Sequence, residues 1–259
     1  MRRVRLIGVG PGDPEQVTLE AVAAMRSVDF FVVCDKSRSA HGRSGMPDPL
    51  VNARERLLDR HVDGEPVIVR MEDPERERSS EQTSSVDDYE RVVTSWHDAR
   101  AAAYEQVLLD HDGDAGFLVW GDPAFYDSTI RVLENVSSRG RVVFEMDVIP
   151  GISSVQLLAA RHRLVLHEVG AALHVTTGRR LREALEQGQH NVVVMLNRVI
   201  ELDGLEDWLI WWGANLGTPS EQLVAGRVGD VLGDIEAARE RVRREAGWVM
   251  DIYLLRRAT

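Results

Sequence analysis

Short apolar runs alternate with longer segments of helical spacing along the first half of the chain. Val4–Val9 is a compact apolar run ended by glycines and predicts a buried strand. Thr18–Ser27 sets Leu19, Val22, Ala23 and Met25 at helical spacing behind Thr18, a favourable N-cap residue. Phe30–Cys34, closed by Asp35, predicts a second strand and Val67–Arg70 a third. Tyr89–Leu109 carries Val92, Val93, Trp96, Ala99, Ala103 and Val107 in a helical pattern. Gly116–Trp120 then reads as a strand and Asp127–Val136 as a helix. Glu72–Asp88 is charged, serine-rich and aperiodic, the composition of a mobile surface loop. The strand–helix–strand rhythm predicts an α/β fold with a parallel sheet and crossover helices.

A second half starts near Arg141. Its expected strands are Val142–Ile149, His174–Thr177, Val192–Leu196, Leu223–Val228 and Trp248–Leu254. Its expected helices are Ser153–Ala160, Leu181–Gln187, Leu205–Ala214 and Asp230–Arg244. With no internal repeat and no long linker, residues 1–140 and 141–259 are the expected domains.

Composition narrows the function. The 259 residues suffice for one large or two smaller cores. A net charge of −11 disfavours broad nucleic-acid binding, which needs a basic surface. No run approaches the ~18 apolar residues of a membrane span. The single cysteine, Cys34, excludes an internal disulfide. The start, Met1–Gly8, mimics the charged opening of a signal peptide, but its apolar run is too short and is cut by glycines, so a cytoplasmic protein is expected. The histidines show no metal-ligand spacing and one cysteine cannot build a zinc cage, so no metal is expected.

Three loops follow predicted strands. Gly8-Val9-Gly10-Pro11-Gly12-Asp13-Pro14 has the look of a phosphate-binding turn, but Asp13 stands where the dinucleotide fingerprint needs its third glycine. Pro11 also lacks an N–H for phosphate. Asp35, at the end of the second strand, keeps a nicotinamide-dependent oxidoreductase among the alternatives. Trp120-Gly121-Asp122-Pro123-Ala124-Phe125-Tyr126 leaves the fourth strand, where a ligand crevice forms in open α/β sheets. Taken alone, Gly-Asp-Pro is also ordinary turn chemistry. Val148-Ile149-Pro150-Gly151-Ile152-Ser153-Ser154 ends a strand and begins a helix; its serines suit either an N-cap or a ligand carboxylate.

In this order and over essentially the whole chain, the three motifs resemble the tetrapyrrole methylase family. The resemblance implies two α/β domains with the cofactor cleft between them, S-adenosylmethionine as methyl donor, S-adenosylhomocysteine as product, and a homodimer. It implies cofactor contacts from Trp120, Gly121, Asp122 and Phe125, from Ser153 and Ser154, from Met195 and Leu196, from Ala225 and Gly226, and from Pro11. Four local strings resemble the branch that removes acetate from a precorrin: Val33-Cys34-Asp35-Lys36, Trp96-His97-Asp98-Ala99-Arg100-Ala101, His174-Val175-Thr176-Thr177-Gly178-Arg179 and Trp212-Gly213-Ala214-Asn215-Leu216-Gly217. The implied reaction joins precorrin-5, S-adenosylmethionine and water to give precorrin-6A, acetate and S-adenosylhomocysteine.

Methyl transfer to carbon asks mainly for positioning, whereas loss of an acetyl group asks for an activated water. Asp35 is the first candidate base; His97, Tyr89 and Tyr126 are further acid–base candidates. Each also has an ordinary structural reading as a cap, a half-exposed histidine or a core-rim tyrosine. Lys36, Arg38, Arg100 and Arg179 are candidates for pairing with the carboxylates of a tetrapyrrole substrate, although solvated surface cations are the default. The cluster Trp208, Trp211 and Trp212 lies beside Glu206 and Asp207, which favours core or dimer packing over a membrane surface. Other readings stay open: the same fold with another acceptor (a different precorrin carbon, a diphthine precursor or ribosomal RNA), or a binder without turnover.

Overall fold

The computed structural model describes residues 1–35, 49–74 and 86–258. Two compact units result: Met1–Gly10 with Pro14–Gly151, and Pro11–Asp13 with Ile152–Thr259.

The first unit contains β1 (Arg2–Gly8), α1 (Leu19–Met25), β2 (Phe30–Asp35), α2 (Pro49–His61), β3 (Ile68–Glu72), α3 (Val86–Asp110), β4 (Ala115–Val119), α4 (Thr129–Arg139) and β5 (Phe144–Ile149). Its sheet runs β3-β2-β4-β1-β5, and every pairing is parallel. Successive strand residues point to opposite faces. Leu6, Phe30, Val32 and Phe117 therefore meet Tyr104 and Leu108 of α3 and Leu133 of α4. Ile7, Phe31 and Leu118 meet Met25 of α1 and Leu57 and Leu58 of α2. The crossover helices thus cover both faces, as the strand–helix rhythm predicts.

The expected boundary at 140/141 is corrected to 151/152. β5 is an edge strand of the first sheet, in register with β1 from Arg2↔Phe144 to Ile7↔Ile149. An apolar run announces a strand but not its partner. The Glu72–Asp88 loop falls largely outside the described residues; Val86–Asp88 open α3. α2 was not expected from the sequence.

The second unit contains α5 (Ser154–His162), β6 (His174–Thr177), α6 (Leu181–Glu186), β7 (Asn191–Met195), β8 (Leu209–Ala214), β9 (Gln222–Arg227), α7 (Val228–Ala246) and β10 (Asp251–Arg256). The sheet order is β6-β7-β10-β8-β9; only β6 and β7 pair in parallel. The helix expected over Leu205–Ala214 is instead β8. Ile210, Trp212 and Ala214 alternate onto one fully buried face, and aromatic and β-branched residues fit that pleated surface. Trp212 is core, while Trp211 lies 5.3 Å beneath the Arg256 guanidinium. α7 buries Ile235, Ala238 and Val242 at helical spacing and stops at Gly247, whose φ of +80° suits glycine. No helix among the described residues is long and apolar enough to cross a membrane.

Candidate functional site

In the first unit, β1 lies between β4 and β5, so the loops leaving these three parallel strands are neighbours. They lock together through backbone. Gly10 N donates to Gly121 O (3.2 Å) and Gly121 N to Gly10 O (2.8 Å). Both glycines have left-handed φ, +78° and +70°. A Cβ on Gly8 would stand 2.5 Å from Gly151 N and 2.7 Å from its Cα, and one on Gly151 would strike Gly121 O. The glycines are therefore required by backbone-to-backbone approach.

Asp122 fastens the junction. Its Oδ1 accepts from Ala124 N (2.8 Å) and its Oδ2 from Gly151 N (2.9 Å), so one carboxylate bridges the β4 and β5 loops. Trp120 is half-buried, while Phe125 and Tyr126 of the same loop are exposed. Tyr126 holds a φ of +53°, sparsely populated for a side chain of its size. A carboxylate in this junction would repel a pyrophosphate beside it, which argues against a dinucleotide here.

In the second unit Pro11 is buried, and Gly12 abuts the 217–218 turn: its Cβ would lie 2.8 Å from Thr218 Cγ2. Ser153 is 2% exposed and caps α5. Its Oγ accepts from Gln156 N (3.4 Å) while its N donates to Gln156 Oε1 (2.7 Å), a reciprocal capping box that commits its polar groups to the helix start. Ser154 is half-buried. Met195 ends β7, and Leu196 follows at φ +55° with its side chain 61% exposed. Arg239 braces this turn: its Nη2 donates to Asn197 O (3.0 Å) and Arg198 O (2.9 Å). Asp251 Oδ2 in turn accepts from Arg239 Nε at 2.8 Å. Ala225 and Gly226 lie in β9, paired with Trp211 and Ile210. A Cβ on Gly226 would be 2.6 Å from Val231 Cγ1, so this glycine is also needed for close packing of α7.

Of the acid–base candidates, Asp35 closes β2 and Tyr89 lies in α3; only their backbone is described. His97 is half-buried beside Trp96, ring centroids 5.3 Å apart. Lys36 and Arg38 lie outside the described residues. Arg179 is exposed in the turn after β6 and belongs to the other unit from Arg100.

Arg100 does not stand on the surface. Its side chain is 11% exposed, its Nε lies 3.0 Å from Asp73 Oδ1, and Asp73 is 8% exposed. The two form an ion pair without aligned hydrogen-bond geometry. Its Nη1 donates to Ser128 Oγ (3.3 Å), its Nη2 to Cys34 Sγ (3.3 Å), and its Cζ sits 4.6 Å from the Trp96 ring centroid. Burial alone lowers the guanidinium pKa, but Tyr104, Cys34 and Asp73 together raise it above its ordinary value, so Arg100 stays charged. The Tyr104 hydroxyl lies 3.3 Å from Cys34 Sγ. Burial first, then Cys34, push its pKa well up, so it remains a neutral hydrogen-bonding phenol. Sequence reasoning missed Asp73, Tyr104 and Asp127. The spacing of four between Trp96, Arg100 and Tyr104, which places them on one helix face, was the available signal. No cluster of metal-ligating side chains occurs among the described residues.

A family model described as Tetrapyrrole (Corrin/Porphyrin) Methylases matches residues 3–232. The precorrin-6A synthase (deacetylating) of Sinorhizobium sp is 39% identical over 263 residues, covering 99% of this chain and 96% of that protein. The crystal structure of a cobalamin synthesis related protein (CobF) from Corynebacterium diphtheriae is 32% identical, covers all of both chains and superposes with a TM-score of 0.81. A uroporphyrin-III C-methyl transferase from Thermus thermophilus, solved with S-adenosyl homocysteine, shares the fold (TM-score 0.55, 22% identity, 98% and 92% coverage). With the glycine-spaced junction of the three strand-end loops, these matches show that the chain belongs to the tetrapyrrole (corrin/porphyrin) methylase family.

Proposed function

We propose that the protein is an S-adenosylmethionine-dependent C-methyltransferase of cobalamin biosynthesis that converts precorrin-5 into precorrin-6A with release of acetate. Near full-length identity of 39% to a deacetylating precorrin-6A synthase carries this reading. The acidic loop junction, which suits a sulfonium cation better than a pyrophosphate, supports the choice of donor. S-adenosylmethionine supplies an electrophilic methyl group. Candidate contacts in the first unit are Trp120, Gly121, Asp122 and Phe125; in the second they are Ser154, the Met195–Leu196 turn, Ala225–Gly226 and Pro11. Ser153 serves this set by fixing the start of α5. The chain would position a ring carbon of the macrocycle against the methyl group and exclude water from it. A homodimer in the cytoplasm, with a precorrin as its partner and neither nucleic acid nor membrane, completes the proposal.

Incubation with precorrin-5 and methyl-labelled donor, with acetate measured, tests the reaction. One methyl incorporated per acetate released is expected; methyl incorporation without acetate would remove the deacetylating reading. Calorimetry with S-adenosylhomocysteine and NAD tests the donor: binding of NAD alone would overturn it. Asp122→Ala removes two loop hydrogen bonds, each worth about 0.5–1.5 kcal/mol. It is expected to weaken S-adenosylhomocysteine binding about tenfold, and by more than Asp35→Ala does. Ser153→Ala should lower stability by about 1 kcal/mol in urea melts and weaken that affinity by less than Asp122→Ala does.

A further inference from the structure

A cavity of about 110 Å³ opens at the carboxyl ends of β2 and β4, lined by Cys34, Arg54, Arg100, Tyr104, Asp127 and Thr129. A water needs only about 10–15 Å³ of such space, so an acetyl group and a water fit in it together. Among the described residues its charged groups are Arg54, Arg100 and Asp127, with Asp73 paired to Arg100, set beside apolar Val32, Val33, Phe117 and Leu118. Two guanidinium groups and the Tyr104 phenol supply donors for a carbonyl oxygen. Arg54 is itself tied to the sheet through Nε to Leu118 O (3.1 Å). Asp127 directly follows the Gly121–Tyr126 loop, and its Oδ1 accepts from Thr129 N (2.7 Å) at the start of α4. The strand that forms one wall, β4, therefore leads straight into the loop proposed to meet the methyl donor.

We propose that this cavity receives the acetyl group of the substrate and that Asp127 is the base for its removal. The inference rests on the deacetylating reaction given above. The water oxygen bonds to the acetyl carbonyl carbon and gives a proton to Asp127. The carbon–carbon bond to the macrocycle breaks, its electron pair passes into the conjugated ring, and acetate leaves.

Two variants test this on the full-length protein with precorrin-5 and methyl-labelled donor. Asp127→Asn keeps an oxygen for Thr129 N and so preserves the start of α4; Cys34→Leu fills the cavity. Binding of S-adenosylhomocysteine, measured by calorimetry, should match wild type for both. Acetate release by Asp127→Asn should slow at least about 100-fold, the lower range for a general base, and a precorrin that still carries its acetyl group should accumulate in both variants. Acetate released at the wild-type rate, one per methyl, in both variants would overturn the proposal. Methyl transfer without acetate by the wild-type protein would instead overturn the reading of the reaction on which it rests.

Discussion

Asp251→Ala should destabilise the second unit by about 3–5 kcal/mol, the usual cost of stripping one partner from a buried ion pair. The Asp251 side chain is 1% exposed and the Arg239 side chain 15% exposed. Its removal leaves the Arg239 guanidinium without its counter-ion and takes the acceptor 3.4 Å from the Trp212 indole N–H. Asp251→Asn keeps an acceptor oxygen and should cost less. Urea unfolding of the three proteins checks the order, and equal midpoints for wild type and the alanine variant would refute it. The same residue gives a pH signature. Burial pushes the Asp251 carboxyl above its ordinary range, and the Arg239 charge recovers only part of the shift. The folded state then takes up this proton before the unfolded chain does. Its contribution is complete below the ordinary carboxylate pKa and is lost as the pH rises through the raised one. Wild type should therefore gain stability over Asp251→Asn as the solution is acidified toward that range.

Gly151→Ala should disrupt the loop junction. The added methyl would strike Gly121 O and stand 2.8 Å from Gly8 C, and both are backbone with nowhere to rotate. Overpacking of this kind costs about 1–3 kcal/mol. Moving Gly151 also breaks its hydrogen bond to Asp122, so S-adenosylhomocysteine binding should fall more than tenfold. Gly8→Ala meets the same contact from the other side. The double variant should then cost less than the sum of the singles, because both relieve one clash by one displacement. Calorimetric titration and thermal melts of the three variants provide the check.

The sequence was most legible where the signal was local. Val4–Val9, Phe30–Cys34 and Gly116–Trp120 read as strands because apolar and β-branched runs end in turn residues, and their glycines sit where the backbone closes up. Pairing was less legible because it is a long-range property. Phe144–Ile149 joins a strand more than 130 residues earlier, and Leu209–Ala214 becomes a strand because β10 and β9 flank it. α2 was missed although Leu50, Ala53, Leu57 and Leu58 stand at helical spacing; among its described side chains Leu57 and Leu58 are buried. At the candidate site the loop residues were readable from glycine, proline and aspartate spacing. The Arg100 cluster was not, because Asp73, Cys34 and Asp127 reach it from three separate loops or strand ends.

The position of β10 bears on how the chain is made. This strand forms the middle of the second sheet, flanked by β7 and β8, and it is the last element of the fold. The first unit has all its strands once Gly151 is synthesised, about 100 residues before Asp251. At 5–20 residues per second, roughly 5–20 s separate the two events. During that interval β7 and β8 have been made but lack the strand that joins them, so nascent chains stalled in this window are the ones expected to recruit chaperones.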